Sequence, residues 1–325
     1  MELTFTAFAE DRPGPAWAAL FHRLWPTYRR WYLREGIEER PTYLACRRAL
    51  HRHMPELLPV YEELCELAGG GDLAARFLSL YRPPAYLSGC SQAVWPGPEP
   101  LLVRNYDYSP LAFDAVILRS RWGGRAVMGM SDCLIGLVDG MNEAGLTVSL
   151  TFGGRKVVGD GFGMPIILRY VLETCDTVPE AVRTLTRVPS HMAYNITALD
   201  AAGRLATLYV SPDREAIVTS APLATNHQER IDWVQHARAT ATVEREHYIL
   251  QRLLRRQTPQ ESFIDAFLRP PLYALGYSTG NGTLYTAAYW PQRRSASYVW
   301  PGVEWRLGLD DFAGGTRRLL YPLAA

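Results

Sequence analysis

Pro83-Pro84 divides this chain into two stretches of different periodicity. A proline has no N–H to give and its ring blocks the turn behind it, so the pair stops any helix that reaches it. Before the pair, apolar residues recur at helical spacing. Trp17, Leu20, Phe21, Leu24, Tyr28, Trp31 and Tyr32 form one stripe, which Pro26 is expected to kink or split. A second pattern runs from about Thr42 to His53. A third begins near Pro55, puts Leu57, Leu58, Tyr61, Leu64, Cys65 and Ala68 on one face, and ends at Gly69-Gly70-Gly71. Asp72 is expected to cap a short fourth helix carrying Leu73, Phe77 and Leu80. Residues 1–8 alternate weakly and read as an edge strand.

Beyond the prolines the period falls to two. Leu101–Tyr106, Phe113–Arg119 and Ala126–Ser131 read as strands, the last two joined at Gly123-Gly124. Gly136–Asp139 and Leu146–Phe152 flank a turn and complete an antiparallel meander. A glycine-rich loop from Gly153 to Gly163 leads to helical patterns over Pro165–Cys175 and Pro179–Thr186. Tyr194–Leu199, Leu205–Val210 and Glu215–Thr219 form a second strand cluster. A long helix over about Arg230–Arg256 and a short one over Pro259–Leu268 follow. Pro270–Gly282 reads as loop before a last hairpin, Thr283–Trp290 and Ser295–Trp300. Two antiparallel sheet segments with helices between and after them point to a layered α+β fold, helices outermost.

Composition narrows the function. A net charge of +1 gives no reason to expect a nucleic acid or an acidic membrane as partner. No apolar run reaches the length of a membrane-spanning helix, and Met1–Phe5 lacks the basic and apolar regions of a secretory signal. The five cysteines (Cys46, Cys65, Cys90, Cys133, Cys175) are odd in number and dispersed, which argues against a disulfide framework or a structural zinc site. A reducing cytoplasm fits them and leaves a thiol free to react. The seven histidines include no His-x-x-x-His pair, and Gly159-x-Gly161-x-Gly163 lacks the strand that precedes a nucleotide fingerprint, so no metal or other cofactor is expected.

Gly89-Cys90 stands between the prolines and the first strand. A thiol beside a glycine carbonyl meets no side chain on its approach. Attack there gives a thioester at Gly89, and water would then cut the chain. Cys90 would become an N-terminus carrying a nucleophile and a base, since a free α-amine titrates at roughly 7.7–8.0. The competing reading is a small buried hydrophobe, the usual state of a free cysteine. Arg104 and Asp107 close the following strand; they too read as an ordinary ion pair when taken alone.

The order of motifs is more specific than any one of them. Gly89-Cys90, Arg104-Asn105-x-Asp107, Gly140-Met141-Asn142-Glu143-Ala144-Gly145-Leu146, Thr225-Asn226-His227 and Gly282-Thr283-Leu284-Tyr285 follow one another. This resembles the cysteine N-terminal-nucleophile hydrolases, and within them the acyl-coenzyme A:6-aminopenicillanic acid acyltransferase family (peptidase family C45), with the bile-salt and penicillin V acylases as more distant relatives. The resemblance runs from about Pro55 to Trp300. It implies a four-layer αββα sandwich made as a precursor and activated by self-cleavage between Gly89 and Cys90. Residues 1–89 would form a helical N-terminal segment that stays bound as a subunit, and residues 90–325 the catalytic domain. It further implies Cys90 as nucleophile, Asp107 as anchor of its amine, Arg104 as tuner of its thiol, and Asn142 and Asn226 as oxyanion donors. The substrate would be a small N-acyl amide or acyl thioester. The acylase relatives carry a further arginine late in the chain near the nucleophile; here Arg293 and Arg294 fall in the hairpin turn and Tyr285 on its strand, so the motif order assigns none.

Two rival readings stand beside this one. A Cys–His thiol hydrolase would pair Cys90 with His227 and need no chain cleavage. A non-catalytic scaffold would keep the fold and use the aromatic N-terminal helices to dock a partner. The shared retention of Cys90, Asp107, Asn142 and Asn226 favours the enzyme.

Overall fold

The computed structural model describes residues 1–86, 89–110, 113–255, 258–279 and 281–321. Leu87 and Ser88, before the expected cleavage point, lie outside them, as do Arg256 and Gly280. Strand β1 (Glu2–Glu10) comes first, then helices α1 (Pro15–Tyr32), α2 (Tyr43–His53), α3 (Leu58–Leu67) and α4 (Asp72–Leu78). Strands β2 (Gly89–Trp95), β3 (Leu101–Tyr108), β4 (Val116–Ser120), β5 (Val127–Asp132), β6 (Gly136–Asn142) and β7 (Thr147–Phe152) follow. After α5 (Met164–Thr174) and α6 (Val178–Arg187) come β8 (Tyr194–Leu199), β9 (Leu205–Ser211), β10 (Arg214–Thr219) and β11 (Leu223–Ala224). The chain ends with α7 (Val234–Ala239), α8 (Thr242–Leu254), α9 (Gln260–Phe267) and strands β12 (Leu275–Gly276), β13 (Asn281–Trp290), β14 (Ser295–Trp300), β15 (Val303–Gly308) and β16 (Gly315–Leu320).

Among the described residues these strands make two sheets. The nine-stranded sheet runs β10-β9-β8-β7-β6-β5-β4-β1-β16; the seven-stranded sheet runs β11-β2-β3-β13-β14-β15, with β12 paired to β13. The two stack face to face: Arg104 of β3 bonds Asp139 of β6, and the Gln92 amide of β2 meets Ser149 of β7 and Thr197 of β8. Helices α8 and α9 cover the far side of the smaller sheet, burying Ile249, Phe263 and Phe267 against Ala93, Val103 and Ala288. Helix α5 covers the far side of the larger one, where Asn142 of β6 bonds its last-turn carbonyls. The result is the αββα layering that the sequence implies. No helix among the described residues is long and apolar enough to cross a membrane.

The N-terminal segment differs from its expected form in three places. β1 is not an edge strand. It pairs parallel to β4 and antiparallel to β16, so it lies inside the larger sheet. Pairing across the whole chain leaves no local mark in sequence, and β16 itself is absent from the strand pattern. Helix α1 runs unbroken through Pro26. Pro26 and His22 are both exposed, so water can take the His22 carbonyl that the proline cannot reach. Asp72 opens α4 instead of capping it, and pairs with Arg76 at 2.8 Å. The N-terminal helices dock through Trp17 Nε1 to the Leu134 carbonyl at 2.8 Å and through Tyr28 to Asp114.

Phe5 tests the interior position of β1. Its ring is fully buried against Phe113, Tyr285 and Trp300. Phe5→Ala should cost about 3–5 kcal/mol in chemical denaturation, as core aromatics do. A loss below about 1 kcal/mol would be the signature of an edge strand instead.

Candidate active site

Alternation along β3 explains how Arg104 and Asp107 serve one cysteine. Residues three apart on a strand face opposite ways. Arg104 points into the space between the sheets, and Asp107 points out toward α8. Cys90 lies across from Tyr106 on the neighbouring strand, with Gly89 across from Asp107. Arg104 Nη2 donates to Cys90 Sγ at 3.3 Å. From the other side of the sheet, Arg245 Nη1 donates to the Cys90 carbonyl at 2.8 Å and lies 3.4 Å from Asp107. The thiol and the backbone of one residue are thus held from two faces.

Arg104 has no exposed surface. Its Nη1 donates to Asp139 and to the Val138 carbonyl, each at 2.7 Å. Asp139 in turn accepts from the hydroxyls of Tyr285 and Tyr289. Burial works against the charge of Arg104, but Tyr285, Cys90 and Asp139 outweigh it and raise its pKa well above the usual arginine value. A fixed cation beside sulfur favours thiolate, the reactive form. A bulge in β13 between Thr283 and Tyr285 sets the partners on both faces. It turns Thr283 to Asp107, whose carboxylate accepts from the Thr283 hydroxyl at 2.6 Å, and leaves Tyr285 facing Asp139. Burial pushes Asp107 up to about 6, against the pull of Arg245, Thr283 and Arg104.

Asn226 comes to Cys90 along a path opened by glycine. Gly154 sits at φ +69°, and a Cβ there would stand 2.3 Å from the Asn226 carbonyl. Glycine adopts that conformation without strain, and its lack of a Cβ admits the neighbouring backbone. Asn226 Oδ1 accepts from the Cys90 N–H at 2.9 Å and from Arg245 Nη2 at 2.5 Å, and its Nδ2 donates to the Phe152 carbonyl at 3.1 Å. The long helix expected over 230–256 is broken at Ala241, φ +47°, into α7 and α8. The break starts α8 beside the site. Thr242 Oγ1 accepts from the Asn226 N–H at 2.7 Å, and Arg245, three residues on and so on the same face, reaches Cys90.

The structure therefore brings Gly89, Cys90, Arg104, Asp107 and Asn226 together, and Asn142 elsewhere. Asn142 Nδ2 donates to the Leu172 and Cys175 carbonyls at 2.9 and 2.7 Å, and its Oδ1 accepts from the Ala144 and Leu146 N–H groups at 3.1 and 3.0 Å. All its capacity goes to closing a hairpin and capping the end of α5, whose last carbonyls have no partner in the helix. It has no donor left for an oxyanion. His227 also turns away: Nδ1 lies 3.0 Å from Thr242 Oγ1 and Nε2 3.3 Å from Glu246. Both ring nitrogens are engaged on α8, which removes the base of the Cys–His alternative. Sequence reasoning missed two residues, Arg245 and Asp139. A charge inside an otherwise apolar strand marks Asp139; Arg245 stands among the charges of an ordinary solvated helix. Among the described residues no cluster of His, Cys, Asp or Glu is placed to hold a metal ion.

These placements separate by mutation. Asn142→Ala should lower stability by about 1–3 kcal/mol, the cost of stranding buried partners, while activity per folded molecule stays within about twofold. Asp107→Asn keeps shape and removes the anion, so turnover should drop more than about tenfold with the fold retained. A smaller loss in steady-state kinetics would take Asp107 out of the site's chemistry.

The chain matches, over residues 95–305, the family described as acyl-coenzyme A:6-aminopenicillanic acid acyl-transferase. The match begins just after Cys90 and takes in Arg104, Asp107, Asn226 and Arg245. No curated protein matches in sequence. Among solved structures, the chain is similar to penicillin V acylase from Agrobacterium tumefaciens, at 15% identity, TM-score 0.49, covering 71% of this chain and 91% of that one. It is also similar to the conjugated bile acid hydrolase from Clostridium perfringens (13% identity, TM-score 0.47, covering 73% and 98%). A third is the Caenorhabditis elegans N-acylethanolamine-hydrolyzing acid amidase ortholog (17% identity, TM-score 0.44, covering 63% and 93%). The sequence match spans well over half of the chain and carries the assignment by itself: this protein belongs to the acyl-coenzyme A:6-aminopenicillanic acid acyl-transferase family.

Proposed function

We propose that the chain is a self-processing cysteine amidohydrolase or acyltransferase of the N-terminal-nucleophile type, acting on a small N-acyl amide or acyl thioester. One observation carries this: a buried cysteine, directly after a glycine, with its sulfur on Arg104, its N–H on Asn226 and its carbonyl on Arg245. In the first step Cys90 Sγ attacks the Gly89 carbonyl carbon. The peptide C–N bond breaks, the departing amine takes the thiol proton, and a thioester forms. Water then releases the Gly89 carboxylate and regenerates the thiol. The freed amine inherits the place where Asn226 Oδ1 accepts the Cys90 N–H, close to the Asp107–Arg245 pair. Its positive charge would draw Asp107 down from about 6 toward the ordinary carboxylate range.

In turnover the same sulfur attacks the substrate carbonyl, with the amine as proton acceptor. Asn226 Nδ2 is the donor assigned to the oxyanion, a role whose loss typically costs about 10²–10³ in turnover. The amine then passes its proton to the leaving group, and an acyl thioester remains. Water or an amine takes the acyl group. The N-terminal segment stays bound through β1 and α1, because apolar burial does not depend on an intact peptide bond.

Denaturing electrophoresis and N-terminal sequencing test this. By proportion of residues, 89 of 325 in a chain of 36.6 kDa, two pieces of roughly 10 and 27 kDa should appear, copurify, and the larger should begin Cys90-Ser91-Gln92. Cys90→Ala should remain one chain. Asn226→Ala should lower kcat far more than it raises KM. Amide hydrolysis by wild type that stays uncut at Gly89 would sink the mechanism, since a peptide-bonded Cys90 has no free amine.

A further inference from the structure

One buried side chain, not among the site residues above, meets the backbone on both sides of Asn226. Asn195 lies in β8, paired with Thr151 of β7 on one side and with Tyr209 of β9 on the other, and it has no exposed surface. Residues two apart on a strand share a face, and Thr197 reaches the Gln92 amide of β2, so Asn195 also looks into the space between the sheets. Its Nδ2 lies 2.8 Å from the Thr225 carbonyl, 2.9 Å from the His227 carbonyl and 3.1 Å from Thr151 Oγ1. The two carbonyls flank Asn226, so one amide group holds the turn at both ends. Thr151 Oγ1 donates its own proton to the Thr225 carbonyl at 2.7 Å. All three neighbours of the amide nitrogen therefore accept, which fixes the orientation of the Asn195 side chain.

The other end of the same side chain is poorly served. Asn195 Oδ1 is buried and has no hydrogen-bond partner among the described residues. An unpaired buried acceptor is unfavourable, and an apolar side chain of similar size would avoid it. Such a side chain could not hold the turn. Asn226 donates its N–H to Thr242 Oγ1 of α8, and its Oδ1 accepts from the Cys90 N–H. Helix α8 belongs to the outer layer and Asn195 to the larger sheet. Asn195 ties the backbone around Asn226 to that sheet, as the Phe152 carbonyl ties its side chain.

We propose that Asn195 is a positioning residue for the nucleophile. It fixes the Thr225–His227 turn, through which Asn226 holds the Cys90 N–H before cleavage and the Cys90 amine afterwards. Its part in turnover rests on the N-terminal-nucleophile reading above; its hold on the Cys90 N–H rests on the contacts alone.

Two experiments separate the positioning from the chemistry. In the first, amide hydrogen exchange is followed on the uncut Cys90→Ala chain, whose N–H at position 90 still meets Asn226. Asn195→Ala should speed exchange there at least about fivefold and leave the amides of β6 unchanged. In the Asn226→Ala background the same substitution should add less than about twofold, because it acts through Asn226. Unchanged exchange at position 90, or an equal speeding in the Asn226→Ala background, overturns the proposal. If Asn195→Ala does not fold, Thr151→Val removes one of the two donors to the Thr225 carbonyl. It should speed the same N–H at least about twofold where Thr151→Ser does not, and identical rates for the two overturn the proposal equally. In the second, steady-state kinetics on an amide substrate should show kcat lowered at least about fivefold by Asn195→Ala, with KM within about twofold. A purely structural residue would lower the melting temperature and leave kcat per folded molecule unchanged, and that result overturns the proposal. Absence of wild-type turnover on every amide, with the exchange result intact, would strike the amidase reading and leave the positioning assignment standing.

Discussion

A guanidinium with no access to water lies between the two sheets, and much of the site follows from keeping it there. Taking such an ion out of solvent costs several kcal/mol unless its charge and its N–H groups are met. Asp139 from the larger sheet meets Arg104, with the Val138 carbonyl beside it. Asp139 is held in turn by two tyrosines from β13, and Tyr298 of β14 bonds the second of these. Strands from both sheets therefore have to be in register before Arg104 can face Cys90. The cation that contacts the sulfur is also the clasp between the layers, so its approach to Cys90 and the stacking of the sandwich are coupled.

The outer face obeys a different logic. Asp107, Arg245, Asn226, Thr242 and Thr283 form a polar patch under α8, in a layer otherwise filled by apolar side chains. Asn226 and Arg245 of this patch hold the backbone on both sides of Cys90, and Asn226 also reaches the larger sheet at the Phe152 carbonyl. The inner face acts on the sulfur, the outer face on the peptide groups. In the proposed self-processing, attack of the sulfur on the preceding carbonyl would need both at one residue, and a strand is the element that delivers its side chain to one side while its neighbours face the other.

Most strands and the helical N-terminal segment were legible because their signal is local: period two, period 3.6, glycine and proline at the boundaries. The grouping of Cys90, Arg104, Asp107 and Asn226 was legible through the order of short motifs. What escaped depended on distant pairing or on a single backbone angle. β1 looks like an edge strand until β16 covers it. Arg245 looks like one charge on a solvated helix until the left-handed turn at Ala241 re-aims α8. Asn142 misled for the opposite reason. Its motif is a turn that serves a hairpin and a helix end, and an asparagine that closes a turn looks the same in sequence as one that binds an oxyanion.

The interior place of β1 bears on how a cut molecule would behave over time. Its two neighbours, β4 and β16, both belong to the part of the chain after Cys90, so the strand is enclosed by ladders on either side. A small subunit docked on a surface can leave and rebind; this one, second from the sheet's edge, can leave only if its ladders to both β4 and the edge strand β16 open together, a sub-global unfolding. Two populations of processed protein, mixed in solution, would therefore not trade their short chains while either remains folded. Each molecule would keep the piece it was synthesised with, and the pair would age as one polypeptide despite the missing bond.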